Sequence, residues 1–243
     1  MKVLAVIPAR LESSRLPRKM LCDLGGVPVI QKVWENTQSF NLFDKIIVAT
    51  DSTEIEKVMI AAGADVMLTS VDHPSGFDRV GEVLQAYSDY AVVVNIQGDE
   101  PFLEKHVIGT LLNLMKDKPE LPIATVAVPI HEAKEFENPN AVKVVLKPNH
   151  DALYFSRAPI PYHRDAQEKD DPVALKHLGL YGYRTNVFSA LQALSPGKLE
   201  GIEKLEQLRF LEAGYAIGVG VTQSDSIGID TEDDLLAARE RLA

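Results

Sequence analysis

The 243-residue chain has a single cysteine, Cys22. An intrachain disulfide and a cysteine-rich zinc site are therefore excluded. No local histidine or oxyanion site accompanies Cys22, as a catalytic thiol would require, so it reads as a small, partly buried apolar side chain. No apolar run approaches the roughly 18 residues that a membrane-spanning helix needs. The short run at Met1–Pro8 lacks the length and cleavage signature of a secretory leader. A cytoplasmic protein with no membrane partner is the expectation. Positive charge is also scarce: 25 Lys and Arg face 35 Asp and Glu, a net charge of −10. Such a chain suits neither nucleic acid nor an anionic membrane surface, which call for a positive face. It still admits a small anionic substrate where cations are locally concentrated. Internal repeats and low-complexity linkers are absent. Neither the P-loop pattern nor the three-glycine dinucleotide pattern follows the first apolar run. P-loop enzymes and nicotinamide dehydrogenases lose ground accordingly.

What is present is ordinary globular material, 46% hydrophobic and 25% charged. In the first half, β-branched runs at 2–7, 45–50, 66–68, 91–96 and 123–128 predict buried strands. Helical spacing predicts helices over 29–37, 53–62, 77–87 and 104–115. Phe77, Val80, Val83 and Leu84 fall on one helical face. Strands such as AVVVNI show no polar alternation, so both their faces are covered. Alternating strands and helices of this kind give an α/β fold, a mostly parallel sheet with helices on both faces. The second half is different. Residues 141–157, broken by Lys147-Pro148-Asn149-His150-Asp151, predict a hairpin. Residues 162–172 predict an exposed loop. A strand at 177–183, helices over 186–194 and 200–213, a strand at 216–221 and a final helix over 231–242 complete the pattern. Gly214 stops the helix before it and Thr231 is the N-cap of the last one. The layout expected is one domain over 1–243 with a β-rich lobe at about 130–185.

Chemistry concentrates in two places. The loop after the first strand places Arg10, Arg15, Arg18 and Lys19 within ten residues, against the single acid Glu12. In open α/β sheets ligands bind beyond the carboxyl ends of strands. Guanidinium and ammonium groups with small-residue amides suit a polyphosphate there. Asn95-Ile96-Gln97-Gly98-Asp99-Glu100-Pro101 follows the most apolar strand, and Asp99 is placed to hold Mg²⁺, which takes few carboxylates and leaves other positions to phosphate and water. Asp230, just before the final helix, is a weaker second metal candidate; taken alone it reads better as part of a helix cap.

These residues belong to an ordered series: IPARLESSRLPRK, ATD at 49–51, DHPSGFDR at 72–79, NIQGDEP, PNAVKVV, ALYFSRAPIP, LKHLGLYGYR, EKLEQLR and IGIDTEDD. The series covers essentially the whole chain and resembles the 3-deoxy-manno-octulosonate (Kdo) cytidylyltransferases, or CMP-Kdo synthetases. The resemblance implies a Rossmann-like nucleotidyltransferase fold and a homodimer built on the β-rich lobe. It also implies a Mg²⁺-dependent reaction of CTP with a keto sugar acid to give the CMP-sugar and pyrophosphate, serving lipopolysaccharide assembly. By similarity, Ala9, Arg10, Arg15, Lys19, Ser75 and Arg79 contact the nucleotide, and Lys19, Asp99 and Asp230 are catalytic. Asp99 and Asp230 carry the metal. Gln97, Arg157, His177, Tyr181, Glu206 and Gln207 surround the sugar acid. Arg157 stands in an otherwise apolar stretch, where a charge must be paired or liganded. His177 and Tyr181 share a strand face and could equally be core residues. Glu206 and Gln207 lie on an amphipathic segment whose default is a solvated face.

Two departures stand out. The family's usual Gly-Lys-Pro is Arg18-Lys19-Met20 here, and its usual SGTDR or SGTER is Ser75-Gly76-Phe77-Asp78-Arg79. Phe77 is expected to start its helix by packing on the core, leaving cytidine preference intact. The alternatives are the same chemistry on an 8-amino Kdo analogue or a sialic acid, and a non-catalytic nucleotide-binding homologue.

Overall fold

A computed structural model of the chain describes residues 1–13, 15–165, 174–225 and 228–242. In chain order its elements are β1 (Val3–Ala9), α1 (Val29–Ser39), β2 (Lys45–Thr50), α2 (Thr53–Ala61), β3 (Val66–Leu68), α3 (Gly76–Ala86), β4 (Val92–Asn95), α4 (Lys105–Asp117), β5 (Ile123–Ile130), α5 (Ala133–Glu137), β6 (Lys143–Leu146), β7 (Ala152–Ser156), β8 (Ala174–Arg184), α6 (Thr185–Gln192), α7 (Lys198–Glu203), α8 (Gln207–Glu212), β9 (Ile217–Val221) and α9 (Glu232–Glu240). The fold is the expected α/β arrangement. No described helix is long and apolar enough to cross a membrane. The chain divides into two compact units, Met1–Lys105 with Ser226–Ala243, and His106–Asp225. The β-rich stretch expected at about 130–185 falls inside the second.

In the first unit β1 pairs in parallel with β2 on one side and β4 on the other, and β3 extends the β2 edge. Leu4, Ala5, Val6 and Ile7 are completely buried, as are Val92, Val93 and Val94. Each large aliphatic side chain so buried contributes about 1.5–3 kcal/mol, which is why these uninterrupted apolar runs form central strands. Helix α3 buries Phe77, Val80 and Val83. Phe77 starts that helix against the core, as its place in the sequence suggests. Helix α2 is capped by Ser52, whose hydroxyl accepts from the Glu54 and Ile55 amides at 3.2 and 3.3 Å. Thr231 and Asp234 form a reciprocal cap on α9. Each cap contributes about 1 kcal/mol. The chain leaves β1 toward β2 and later returns to β1's other side as β4. That reversal opens a crevice at the carboxyl ends of β1 and β4, where α/β sheets take their ligands.

In the second unit β5 pairs in parallel with β9 and antiparallel with β8, with a register shift between Thr125 and Val126. The predicted hairpin is β6 and β7, antiparallel to one another. The single helix expected over 200–213 is instead two short helices. Lys204, at φ 54°, adopts a left-handed conformation and ends α7. Leu205 and Glu206 precede the restart at Gln207. The sequence carries no Gly or Pro at this break, so it is the tertiary surroundings that impose it. Of the predicted loop at 162–172, residues 162–165 are described, with Tyr162 strongly exposed; the remainder lies outside the described residues.

Candidate functional site

The crevice of the first unit is a cavity of about 270 Å³. Ala9, Arg10, Arg15, Lys19, Ser75, Arg79, Gln97, Asp99 and Asp230 all line it. Nine sequence-predicted residues from four separate segments are thus brought together.

Lys19 is the centre of the cluster. Its side chain is buried, and its Nζ donates to Asp99 Oδ2 at 2.5 Å and to Asp230 Oδ1 at 3.0 Å. Arg15 Nη2 reaches the same Asp230 oxygen at 2.9 Å. Burial works to lower the Lys19 pKa, but the two carboxylates outweigh it and hold the ammonium above its ordinary value. The carboxylates are set by backbone. Gly98 precedes Asp99 at a point where a Cβ would lie 2.7 Å from the Pro8 carbonyl oxygen, so only glycine lets the β4 turn approach β1. The Ile229 amide donates to the Asp99 carbonyl at 2.9 Å, stitching the approach to α9 onto the β4 turn. The Asp230 amide is itself held by the Asp234 carboxylate at 3.0 Å. Asp230 is therefore not the helix cap; Thr231 takes that role, and the Asp230 carboxylate faces the cavity.

Two carboxylates converging on one cation, beside a polar cavity, form a donor set that fits Mg²⁺. That ion is commonly held by one or two carboxylates and completed by substrate phosphates and water. Among the described residues no group of three or more His, Cys, Asp or Glu side chains could cage a metal unaided.

The remaining cations divide by role. Arg10 is exposed, and Arg15 is largely exposed beyond its pairing with Asp230, so both guanidinium groups can be reached by a phosphate. Arg79 is buried and committed: its Nη2 pairs with Asp51 Oδ2 at 2.9 Å, and its Nη1 bonds Thr69 Oγ1 and the Ser70 carbonyl. Asp51 also accepts the Leu11 amide at 3.3 Å, so Arg79 acts on the basic loop by anchoring it. Arg18 pairs with Glu54 at the start of α2 and does not line the cavity. Its φ of 56° explains why the related motif carries glycine there. Ser75 is the N-cap of α3, accepting from the Asp78 amide at 3.3 Å. The positive end of α3 thereby opens on the cavity. Glu12, Ser13, His73 and Gly98 also line it; the sequence reading assigned none of them, nor Asp51. The ATD triplet at a strand's carboxyl end was the available signal for Asp51. Cys22 is half-buried, and burial raises its thiol pKa, consistent with an inert side chain.

The second unit holds the other predicted set. His177 Nε2 lies 3.0 Å from Thr125 Oγ1, and that hydroxyl is 2.7 Å from the Leu180 carbonyl. With the threonine proton on Leu180, His177 is the donor and its proton sits on Nε2. Burial lowers the His177 pKa to about 3, so the ring is neutral. Its ring packs 5.3 Å from that of Tyr181, which stacks on Tyr183 at 5.7 Å. Burial, reinforced by the nearby Glu206 charge, raises the Tyr181 pKa well above its ordinary value. Gln207, expected around the sugar acid with a solvated face as the default alternative, is buried, so that alternative falls. Tyr181 Oη and Gln207 Nε2 are both buried and find no hydrogen-bond partner among the described residues. Arg157 is half-buried, and its guanidinium forms no ion pair among the described residues. Its Nε donates to the Glu203 carbonyl at 2.8 Å, Nη1 to Pro139 at 3.0 Å and Nη2 to Lys204 at 3.4 Å.

Comparison with known proteins decides the family. The cytidylyltransferase family model matches residues 4–219. A 3-deoxy-manno-octulosonate cytidylyltransferase of Syntrophobacter fumaroxidans is 44% identical, the match covering 100% of this chain and 98% of the relative. One from Polynucleobacter asymbioticus is 46% identical over 98% of this chain and 95% of its own. The chain belongs to the 3-deoxy-manno-octulosonate cytidylyltransferase family. A solved CMP:2-keto-3-deoxy-manno-octonic acid synthetase complexed with CTP superposes with a TM-score of 0.93 at 40% identity, covering 100% of this chain and 98% of that one. A 4-diphosphocytidyl-2C-methyl-D-erythritol synthase from Anaerococcus prevotii, 13% identical with a TM-score of 0.66, shares the fold. Within this family the clustering of Lys19, Asp99 and Asp230 is the feature with direct chemical consequence.

Proposed function

We propose that the chain transfers the cytidylyl group of CTP to 3-deoxy-manno-octulosonate, releasing pyrophosphate, and so supplies an activated sugar acid for lipopolysaccharide assembly. The observation that carries the reading is the Lys19–Asp99–Asp230 cluster beside the basic loop, in a chain of this family. The triphosphate enters the first-unit cavity, where Arg10, Arg15 and Lys19 neutralise it. The base lies toward the α3 terminus, near Ser75 and the Ala9 backbone. Asp99 and Asp230 are the residues that would hold Mg²⁺, which when bound would supply charge neutralisation and lower the pKa of a hydroxyl. Lys19 then exchanges carboxylate partners for phosphate oxygens, keeping its charge buried and paired throughout.

In the reaction the sugar's anomeric oxygen forms a bond to the α-phosphorus, the bond from that phosphorus to the bridging oxygen breaks, and the electron pair leaves on pyrophosphate. The hydroxyl proton is lost to solvent. There is little covalent work for the protein, so positioning and charge neutralisation dominate. Tyr181 Oη and Gln207 Nε2 support a sugar-acid role for the second unit, because a polyhydroxylated ligand supplies the partners they lack; each such buried group otherwise costs about 1–3 kcal/mol. The working enzyme is a cytoplasmic homodimer in this reading.

The test is pyrophosphate release from CTP and Mg²⁺ across Kdo, its 8-amino analogue and sialic acid. Release with Kdo is expected. Preference for another acid would reassign the substrate, and no release with any would defeat the enzymatic reading.

A further inference from the structure

The break between α7 and α8 is placed where the sequence alone gives no reason for one. A lysine occupies the left-handed region that glycine or asparagine normally fills. Backbone strain of this sort persists only where surrounding contacts over-determine it, and here those contacts can be named. The Glu203 carboxylate accepts from Ser156 Oγ at 2.6 Å and from the Arg157 amide at 2.9 Å. Arg157 returns its guanidinium to the Glu203 and Lys204 carbonyls, which the interrupted helix leaves without helical partners. Behind Arg157 stands Lys143, fully buried in β6. Its ammonium donates to the carbonyls of Arg157, Ala141 and Asn138 at 2.7, 2.6 and 2.9 Å. Three carbonyls satisfy its three protons, and among the described residues no carboxylate pairs with it.

The consequence of the break is local. It starts a new helix at Gln207, and the side-chain amide of that first residue is buried with its Nε2 unpartnered among the described residues. An uninterrupted helix over 200–213 would rotate Gln207 to a different bearing, since each residue advances the face by a fixed angle.

We infer that Glu203 and Lys143 are positioning residues for sugar-acid binding, acting through Arg157 to hold the α7–α8 break that sets Gln207. This rests on the second unit's role proposed above. Neither residue touches the substrate, and Arg157 contributes by gripping carbonyls.

The experiment varies CTP and Kdo separately in steady-state assays of the full chain. Glu203→Ala is expected to raise the KM for Kdo about tenfold, the scale of one misplaced hydrogen bond, with the KM for CTP unchanged. Lys143→Met should act in the same direction. Glu203→Gln keeps an acceptor for the Arg157 amide and should recover most of the loss. The decisive variant is Glu203→Ala combined with Lys204→Gly. Glycine removes the strain that Glu203 opposes, so the break should persist and the KM for Kdo should return toward that of the unmutated chain. A merely stabilising role for Glu203 would not be rescued at this position. An unchanged KM for Kdo, a parallel rise for CTP, or absence of rescue overturns the inference. If Glu203→Ala does not fold, Lys143→Met is compared with the unmutated chain instead, where a selective rise for Kdo supports the inference and equal values overturn it. Failure of the unmutated chain to use Kdo would instead defeat the functional reading itself.

Discussion

At the scale of single residues, Asp99 is the most exposed to test. It shares a buried ammonium with Asp230, and its backbone is pinned by Gly98 and Ile229. Asp99→Asn keeps the shape and one acceptor while removing the charge. The expected outcome is a loss of about 10²–10³ in kcat, the usual cost of deleting one electrostatic partner of a transition state, with the far-ultraviolet spectrum unchanged. Unaltered turnover would remove Asp99 from the proposed metal site. His177 offers a second test. Its folded pKa, about 3, lies below its ordinary value near 6.5. Between those values the unfolded chain binds the extra proton, so stability falls as pH drops through this window. By pH 5 the loss from this residue is about 2 kcal/mol. Urea titrations at pH 7.5 and 5 should show that loss shrinking in His177→Gln; an identical pH dependence would mean the ring is solvated. The residues most legible in sequence were those whose signal is local: four cations in one loop, and an acid after an apolar strand. Asp51 and His73 were not, because their partners, Arg79 and Glu82, arrive from another segment. Arg157 was noticed as an anomalous charge, but only the fold reveals that its donors serve carbonyls.

At the scale of elements, β2 and β3 and the starts of α1 and α2 were legible to the residue: β2 is an apolar run buried over its last four residues, α1 begins after Pro28 and α2 after its Ser52 cap, whereas β3, expected buried, is a short strand with Leu68 exposed. The α7–α8 break was not. Helical periodicity continues through it, and the contacts that impose it come from β7 and β6. Arg18 tests the same principle in the first unit. Its left-handed backbone costs about 1–2 kcal/mol, whereas its exposed ion pair with Glu54 contributes about 0–1 kcal/mol. Arg18→Ala keeps the strain and loses the pair. Arg18→Gly loses both, at a backbone entropy cost of about 0.5–1 kcal/mol. Arg18→Gly should therefore be the more stable of the two variants by thermal melt. Both should retain near-normal CTP kinetics, because the guanidinium faces Glu54. A severe rise in the KM for CTP in either would place Arg18 on the nucleotide.

At the scale of the whole molecule, a net charge of −10 and a triphosphate substrate are reconciled by distance. Charges spread over the surface are screened beyond about 8–10 Å at ordinary ionic strength, whereas Arg10, Arg15 and Lys19 line the cavity itself. Binding then stabilises the chain by mass action. At a hundredfold excess over Kd the gain is about 2.7 kcal/mol, which for a chain of this size raises Tm by about 5–10 °C. The shift should belong to the transition of the first unit, where every residue proposed to contact the nucleotide lies. In a thermal melt with Mg²⁺, CTP should give it, UTP, ATP and GTP should give much less at the same concentration, and Asp99→Asn should reduce it. The cytidine dependence rests on the proposed base site at the α3 terminus and backbone near Ala9, with Phe77 withdrawn into the core. Equal shifts with all four nucleotides would mean that the cavity reads phosphate alone, and would overturn the assignment of base recognition to this face.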